Sequence, residues 1–177
     1  MLKKTMDTMK SIFMTILGCA LVAVVGGLVF IYSGIYDVSA TTPDSPVVAW
    51  VVHTVSDTSV GARLGNNHPP AGYDKPEMIA AGGKLFSENC TICHGGPGVA
   101  KSAIAKGLNP APPDLFRASR EPDPAENFQF IKYGVKMTAM PGFGPSYSDD
   151  EIWSLVAFLN KLPGISESDY AKFTASH

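Results

Sequence analysis

The longest apolar stretch of the chain lies near its N-terminus. No charged residue occurs in residues 11–36, and residues 12–35 are nearly all apolar. A bilayer-spanning helix needs about 20 such residues. Three lysines and one aspartate precede the stretch, and this excess of positive charge favours an N-terminus in the cytoplasm. We predict a cytoplasmic N-terminus and transmembrane anchor over residues 1–36, with the rest of the chain outside the cytoplasm.

A cleaved signal peptide is the alternative interpretation of the same segment. Val38-Ser39-Ala40 has the small residues of a cleavage site. The apolar region is, however, about twice the usual length of roughly 7 to 15 residues in signal peptides. The pattern therefore favours a retained anchor.

Residues 37–75 have the composition of a linker, interrupted by one short apolar segment. Ser45-Pro46 is a helix-entry signal, and Trp50 and several valines follow it. We predict a short helix over residues 46–63 that packs on the following domain, on the membrane surface or on a partner subunit. The pattern does not choose among these three.

Helical periodicity predicts three further helices and no strand, which indicates an all-α fold. The first covers residues 74–89, with Asp74 as its expected cap and two adjacent glycines on its apolar face. The second begins at Asp123 and ends at Gly134. The third begins with a capping box at Ser148 and stops at Pro163-Gly164. Residues 166–177 are expected to be a C-terminal tail.

Charge and composition narrow the function classes. The chain has 16 acidic and 14 basic residues, so nucleic acid is an improbable partner. Residues 37–177 carry 11 basic and 15 acidic residues, a net charge of −4, which would attract a basic partner surface. The 14 prolines and 17 glycines indicate a loop-rich domain in which a large cofactor supplies part of the core.

One motif carries specific chemistry, the pentapeptide Cys90-Thr91-Ile92-Cys93-His94. C-x-x-C-H is the attachment signature of a c-type haem, in which two thiols bond the haem and the adjacent imidazole binds iron. A zinc site would need further ligands at similar spacing, and a redox dithiol would be expected in a βαβ context. We predict one covalent haem c, with Cys90, Cys93 and His94 in its site.

Residues 72–163 resemble the small class I mono-haem cytochromes c. The resemblance rests on five motifs in a fixed order: Gly82-Gly83-x-x-Phe86, Cys90-x-x-Cys93-His94-Gly95, Pro113-x-Leu115, Met140-Pro141 and Ser148-x-x-Glu151-x-Trp153. It implies a haem domain over residues 76–165, wrapped around the cofactor. The first and last helices would cross, with Gly83 and Phe86 against the face that carries Trp153.

The resemblance also implies the surroundings of the iron. His94 is expected as the proximal ligand, donating a hydrogen bond to the carbonyl of Pro113. Met140 is expected as the sixth ligand, and Met137 as a packing residue at the haem edge. His53 and His68 are weaker alternatives for bis-histidine ligation, and His177 is terminal. Five side chains are candidates to reach the haem propionates, and the sequence does not rank them: Lys101, Arg117, Arg120, Tyr133 and Lys136.

An iron with two retained protein ligands transfers electrons and has no open position for a substrate. We therefore expect single-electron transfer with redox partner proteins by a tethered carrier in a respiratory or dehydrogenase chain. The haem domain would lie in the periplasm or outside, on the inner membrane of a bacterium. The alternatives are a fixed subunit of an oxidoreductase complex, a haem enzyme or gas sensor with an open sixth position, and a non-haem dithiol protein. No independent catalytic site and no small-molecule substrate are indicated.

Overall fold

The computed structural model describes residues 2–65, 67–117 and 123–174, which contain helices, turns and loops but no strand. The chain divides into two compact units, Met1–Thr42 and Pro43–His177. The helices of the described residues are α1 (Leu2–Ser33), α2 (Pro46–Gly61), α3 (Pro76–Asn89), α4 (Thr91–His94), α5 (Ala103–Lys106), α6 (Pro124–Tyr133), α7 (Asp149–Lys161) and α8 (Glu167–Thr174). The predicted all-α class is confirmed.

Helix α1 makes up most of the first unit. Its segment Lys3–Tyr32 is long and apolar enough to cross a membrane, and the most apolar part of it is not buried. The helix begins well before the apolar stretch, because the preceding residues include no helix breaker. It ends at Ser33, followed by Gly34 in the left-handed region at φ 66°.

Helix α2 belongs to the second unit and contacts α6. Its N-cap is Ser45, whose side chain accepts a hydrogen bond from the amide of Val48 at 3.3 Å. Beyond the helix, Asn67 Nδ2 donates to Gln129 Oε1 of α6 at 3.0 Å. The sequence left three possible packing partners for α2, and the structure shows that it contacts the following domain. The outer side of α2 stays exposed, including Trp50.

The core of the second unit is the crossing of α3 and α7. An added Cβ at Gly82 would lie 1.9 Å from the carbonyl oxygen of Ser154, so only glycine permits this approach of the two backbones. Phe86 and Phe158 pack beside it, with ring centroids 5.4 Å apart. The predicted close crossing is confirmed, although the α7 ring that packs on Phe86 is Phe158. Trp153 instead stacks on Phe128 of α6 at 4.3 Å.

Most of the predicted helix starts are correct. Asp123 Oδ1 accepts from the amide of Ala125 at 2.8 Å, and Ser148 forms a capping box with Glu151. The expected cap of α3 is wrong, because its N-cap is Lys75. Pro76 opens that helix and holds the preceding residue extended, so the helix cannot start earlier.

The C-terminal segment contains a helix that the sequence does not predict. Helix α8 packs on α3, and its Tyr170 is only 3% exposed. The tyrosine ring lies 6.4 Å from Phe86 and 6.3 Å from Phe158, centroid to centroid. Residues 167–174 are thus packed against the core rather than forming a free tail.

Candidate functional site

The C-x-x-C-H motif forms a single helical turn at the end of α3. Cys90 is both the C-cap of α3 and the N-cap of α4. Its carbonyl accepts from the amides of Cys93 at 3.1 Å and His94 at 2.9 Å. Positions i, i+3 and i+4 of a helical turn share one face. The fold therefore directs the two thiols and the imidazole to the same side of this turn.

The His94 ring is held by the carbonyl of Pro113. The distance from His94 Nδ1 to the Pro113 oxygen is 3.0 Å. A carbonyl can only accept, so Nδ1 carries a proton and donates; in the neutral imidazole this leaves the lone pair on Nε2. Burial, the largest influence, lowers the pKa of His94 below its ordinary value. The lowered pKa favours the neutral imidazole, the form whose Nε2 can bind a metal, and the contact with Pro113 is present.

The two cysteines of the motif are half-buried and form no disulfide. Burial, reinforced by the neighbouring Cys93, raises the pKa of Cys90 to about 12. Redox-active dithiols need a lowered pKa, because the thiolate is the nucleophile. The dithiol interpretation is therefore disfavoured.

A tight turn that contains three glycines follows the motif. Gly95 has φ 67°, and a Cβ there would lie 2.8 Å from the carbonyl oxygen of Val99. Gly96 and Val99 exchange two backbone hydrogen bonds of 2.9 Å. Tyr170 covers the turn, since a Cβ at Gly96 would lie 3.0 Å from its ring. Helix α8 thereby braces the segment directly after His94.

Both candidate methionines lie in the loop between α6 and α7, in different settings. Met140 is half-buried, its carbonyl accepts from the amide of Val135 at 3.1 Å, and its amide donates to Thr138 Oγ1 at 3.1 Å. Met137 is 93% exposed and has φ 64°. The loop then returns to α6, where the amide of Phe143 donates to Ile131 O at 2.9 Å. The backbone holds Met140 and presents Met137 to solvent.

The other candidates of the sequence are scattered. His53 and His68 are exposed, and Arg120 and His177 lie outside the described residues. Tyr133 and Lys136 are also exposed, and Arg117 lies over the ring of Phe116. Within the described parts of the chain, no group of three or more His, Cys, Asp or Glu side chains could hold a metal ion. A zinc site of that kind is not formed there.

Sequence reasoning missed the partners of Lys101. Its Nζ lies 2.6 Å from Asp114 Oδ1 and also donates to the carbonyl of Pro112. The sequence indicates Lys101 only as a candidate to reach the haem propionates. A partial signal was present, because Asp114 directly follows two prolines, which cannot donate backbone hydrogen bonds.

A family model matches residues 77–159, and its description is "Cytochrome C oxidase, cbb3-type, subunit III". None of the curated proteins matches the chain. The matched segment contains nearly all of α3, helices α4 to α6 and most of α7, and it includes the motif turn, the Pro113 loop and Met140.

Two solved structures are similar to this chain. One is a chain of the reducing HAO-like protein complex of Kuenenia stuttgartiensis, at 26% identity and a TM-score of 0.44, covering 56% of this chain and 48% of that one. This chain thus spans about half the length of that protein. The other is cytochrome CL of Methylophaga aminisulfidivorans, at 20% identity and a TM-score of 0.39, covering 75% of each chain. Both TM-scores are low, so neither similarity supports a functional inference.

Proposed function

Since residues 77–159 form a cytochrome c domain, we propose that the chain transfers single electrons through one haem c bonded to Cys90 and Cys93. A cytochrome c domain binds haem c, serves haem-based electron transfer and has redox partners. Together with the N-terminal apolar helix, it fits a membrane-anchored mono-haem cytochrome c. The number of haems, their covalent attachment and the residues of the site belong to the proposal.

The observation that carries the proposal is the hydrogen bond from His94 to Pro113 beside two thiols on one helical turn. The residues fit the cofactor: the thiols of Cys90 and Cys93 would form its two thioether bonds, and His94 Nε2 would bind the iron. When bound, haem supplies an iron that gains and loses one electron. The carbonyl of Pro113 orients the imidazole and strengthens it as a ligand.

We assign the sixth iron ligand to Met140. Its loop is pinned at Val135, Thr138 and Ile131, so the thioether would be retained when the iron changes oxidation state. Fixed ligands suit electron transfer and leave no position for a small molecule, which argues against the enzyme and gas-sensor alternatives. His/Met ligation also raises the reduction potential.

The ligand assignment is tested with Met140→Ala, and Met137→Ala is the matched control three residues away. Met140→Ala is expected to bind carbon monoxide and to lower the reduction potential, because the reduced iron loses its soft ligand. Met137→Ala should keep both wild-type properties. If the two variants behave the other way round, Met137 is the ligand. If neither variant changes carbon monoxide binding or the reduction potential, the hypothesis of ligation by His53 or His68 is reopened.

We further propose that α1 remains attached as an anchor in the bacterial inner membrane. A signal sequence has the same apolar character, so the assignment rests on the length of Lys3–Tyr32 and the preceding lysines. The haem domain would then face the periplasm. Mass spectrometry of the membrane-extracted protein should detect the N-terminal peptide. A mature N-terminus at Thr41 would instead identify a signal peptide.

Between a tethered carrier and a fixed subunit, the net charge of −4 over residues 37–177 supports the carrier. Charged surfaces favour fast, transient encounters with partners of opposite charge. One observation favours the second candidate, a subunit of an oxidoreductase complex: α2 exposes 67% of Trp50, 70% of Val47 and 62% of Val55. Contiguous exposed apolar surface is typical of interaction sites.

Gentle detergent purification without crosslinking separates the two candidates. A carrier should purify alone, and its electron-transfer rate should fall as ionic strength rises. A subunit should bring partners in fixed stoichiometry, and Trp50→Ser should release them. Thr58→Ser, at another exposed position of α2, is the control and should leave any complex intact.

A further inference from the structure

The loop that contacts His94 has few means of being held in place. Pro112 and Pro113 are consecutive, and proline has no amide hydrogen. This part of the loop therefore cannot donate backbone hydrogen bonds. Only its carbonyl oxygens and the neighbouring side chains can fix it, so a donor from elsewhere in the fold is required.

The side chain of Lys101 is that donor, and it contacts the residues on both sides of Pro113. Its ammonium group donates to the carbonyl of Pro112 and forms an ion pair with Asp114, with Nζ 2.6 Å from Oδ1. The Lys101 side chain is 26% exposed and that of Asp114 is 40% exposed, so the pair is partly shielded from water. The residues directly before and after Pro113 are thus held by one side chain.

Lys101 is itself fixed to the turn that carries His94. The amide of the next residue, Ser102, donates to the carbonyl of Ile92 in α4 at 3.2 Å. On the other side, Gly96 and Val99 close the preceding turn with their two hydrogen bonds. A rigid segment therefore joins the backbone of Lys101 to the backbone of His94.

We propose that Lys101 is a positioning residue, which holds the Pro113 carbonyl against His94 Nδ1 and thereby orients the imidazole that binds iron. This inference rests on the proposed function, because it gives His94 the role of proximal ligand. Lys101 touches neither the imidazole nor the iron in this role. It acts through Pro113, and its loss should weaken the hydrogen bond without removing either partner of that bond.

The test is the exchange rate of the His94 Nδ1 proton with solvent, measured by NMR on the reduced, haem-loaded full chain in detergent. In Lys101→Met the rate should rise by about tenfold, which corresponds to about 1.4 kcal/mol. Lys101→Arg should restore the slow exchange, because a guanidinium group can donate to a carbonyl and a carboxylate together. Lys106→Met removes an equal charge from an exposed lysine of α5 and should leave the rate unchanged.

The inference would be overturned if the His94 Nδ1 proton of haem-loaded Lys101→Met exchanged at the wild-type rate. It would also be overturned if Lys106→Met accelerated the exchange equally, because the acceleration would then be a general effect of charge. If Lys101→Met does not accumulate with haem, Asp114→Asn is measured in its place. It weakens one of the two contacts, so a smaller acceleration supports the inference and an unchanged rate overturns it. Failure of the proposed function is distinguishable, because the wild-type protein would then give no pyridine haemochrome spectrum.

Discussion

The crossing of α3 and α7 leaves no room for a side chain at Gly82. In Gly82→Ala the new methyl group would lie 1.9 Å from the carbonyl oxygen of Ser154 and 3.0 Å from the amide nitrogen of Leu155. Ordinary contact begins at 3.4 Å, so the two backbones would have to separate by about 1.5 Å. No side-chain rotation relieves this clash, because both atoms belong to the α7 backbone.

The expected loss of stability in Gly82→Ala depends on the packing contacts that this separation disrupts. Gaps of about 0.5 to 1 Å already remove roughly a quarter to a half of the dispersion attraction between packed atoms. The affected contact includes Phe86 and Phe158, which are fully buried. Overpacking costs about 1 to 3 kcal/mol, and the helix preference for alanine returns at most about 1 kcal/mol. A clash against backbone lies at the upper end of this range, so we expect the free energy of unfolding to fall by at least about 2 kcal/mol.

The assay is guanidinium unfolding of the detergent-purified protein, followed by far-UV circular dichroism and tryptophan fluorescence. Gly61→Ala is the matched control, because a Cβ at Gly61 meets nothing within 4 Å. Gly61→Ala should raise the free energy of unfolding by at most about 1 kcal/mol. A Gly82→Ala protein as stable as the wild type would refute the argument that the glycine sets the distance between the two helices.

Three further outcomes are expected in the same assay. Ser148→Ala should lower the free energy of unfolding by about 1 kcal/mol, because α7 loses its cap. Hydrogen bonds from Ser148 hold the pKa of Glu151 below its ordinary value. The carboxylate therefore stabilises the fold fully at a pH above its ordinary pKa, and this stabilisation is lost as the pH falls through the lowered pKa. Ser148→Ala should weaken this dependence of stability on pH. Tyr170→Ala should cost about 3 kcal/mol, because the ring packs on Phe86 and Phe158; an unchanged midpoint would mean that α8 does not stabilise the core.

The parts of the fold that depend on local chemistry could be predicted from the sequence. The cap at Asp123 and the capping box at Ser148 each involve residues within three positions of one another, so their signals are complete in a short segment. Adjacent glycines on the apolar face of α3 likewise predict a close helix crossing. The contact between His94 and Pro113 spans 19 residues, and only the family resemblance indicated it.

The features that the sequence did not predict depend on contacts between distant segments. Tyr170 lies in a segment with too few apolar positions to give a helical pattern, and α8 is stabilised instead by α3 and by rings such as Phe86. Lys101 acquires its role only because the fold brings it to Asp114. The wrong cap of α3 has a local cause, since the fixed backbone of Pro76 outweighed the capping ability of Asp74.

The central claim is the covalent attachment of one haem through the two thiols of the motif turn, and haem staining after denaturing electrophoresis tests it most directly. The wild-type chain should retain the stain, and so should Cys19→Ala, which removes the one cysteine outside the motif. Replacing both Cys90 and Cys93 with alanine should abolish the stain. A double variant that still carries haem through denaturation would contradict the account.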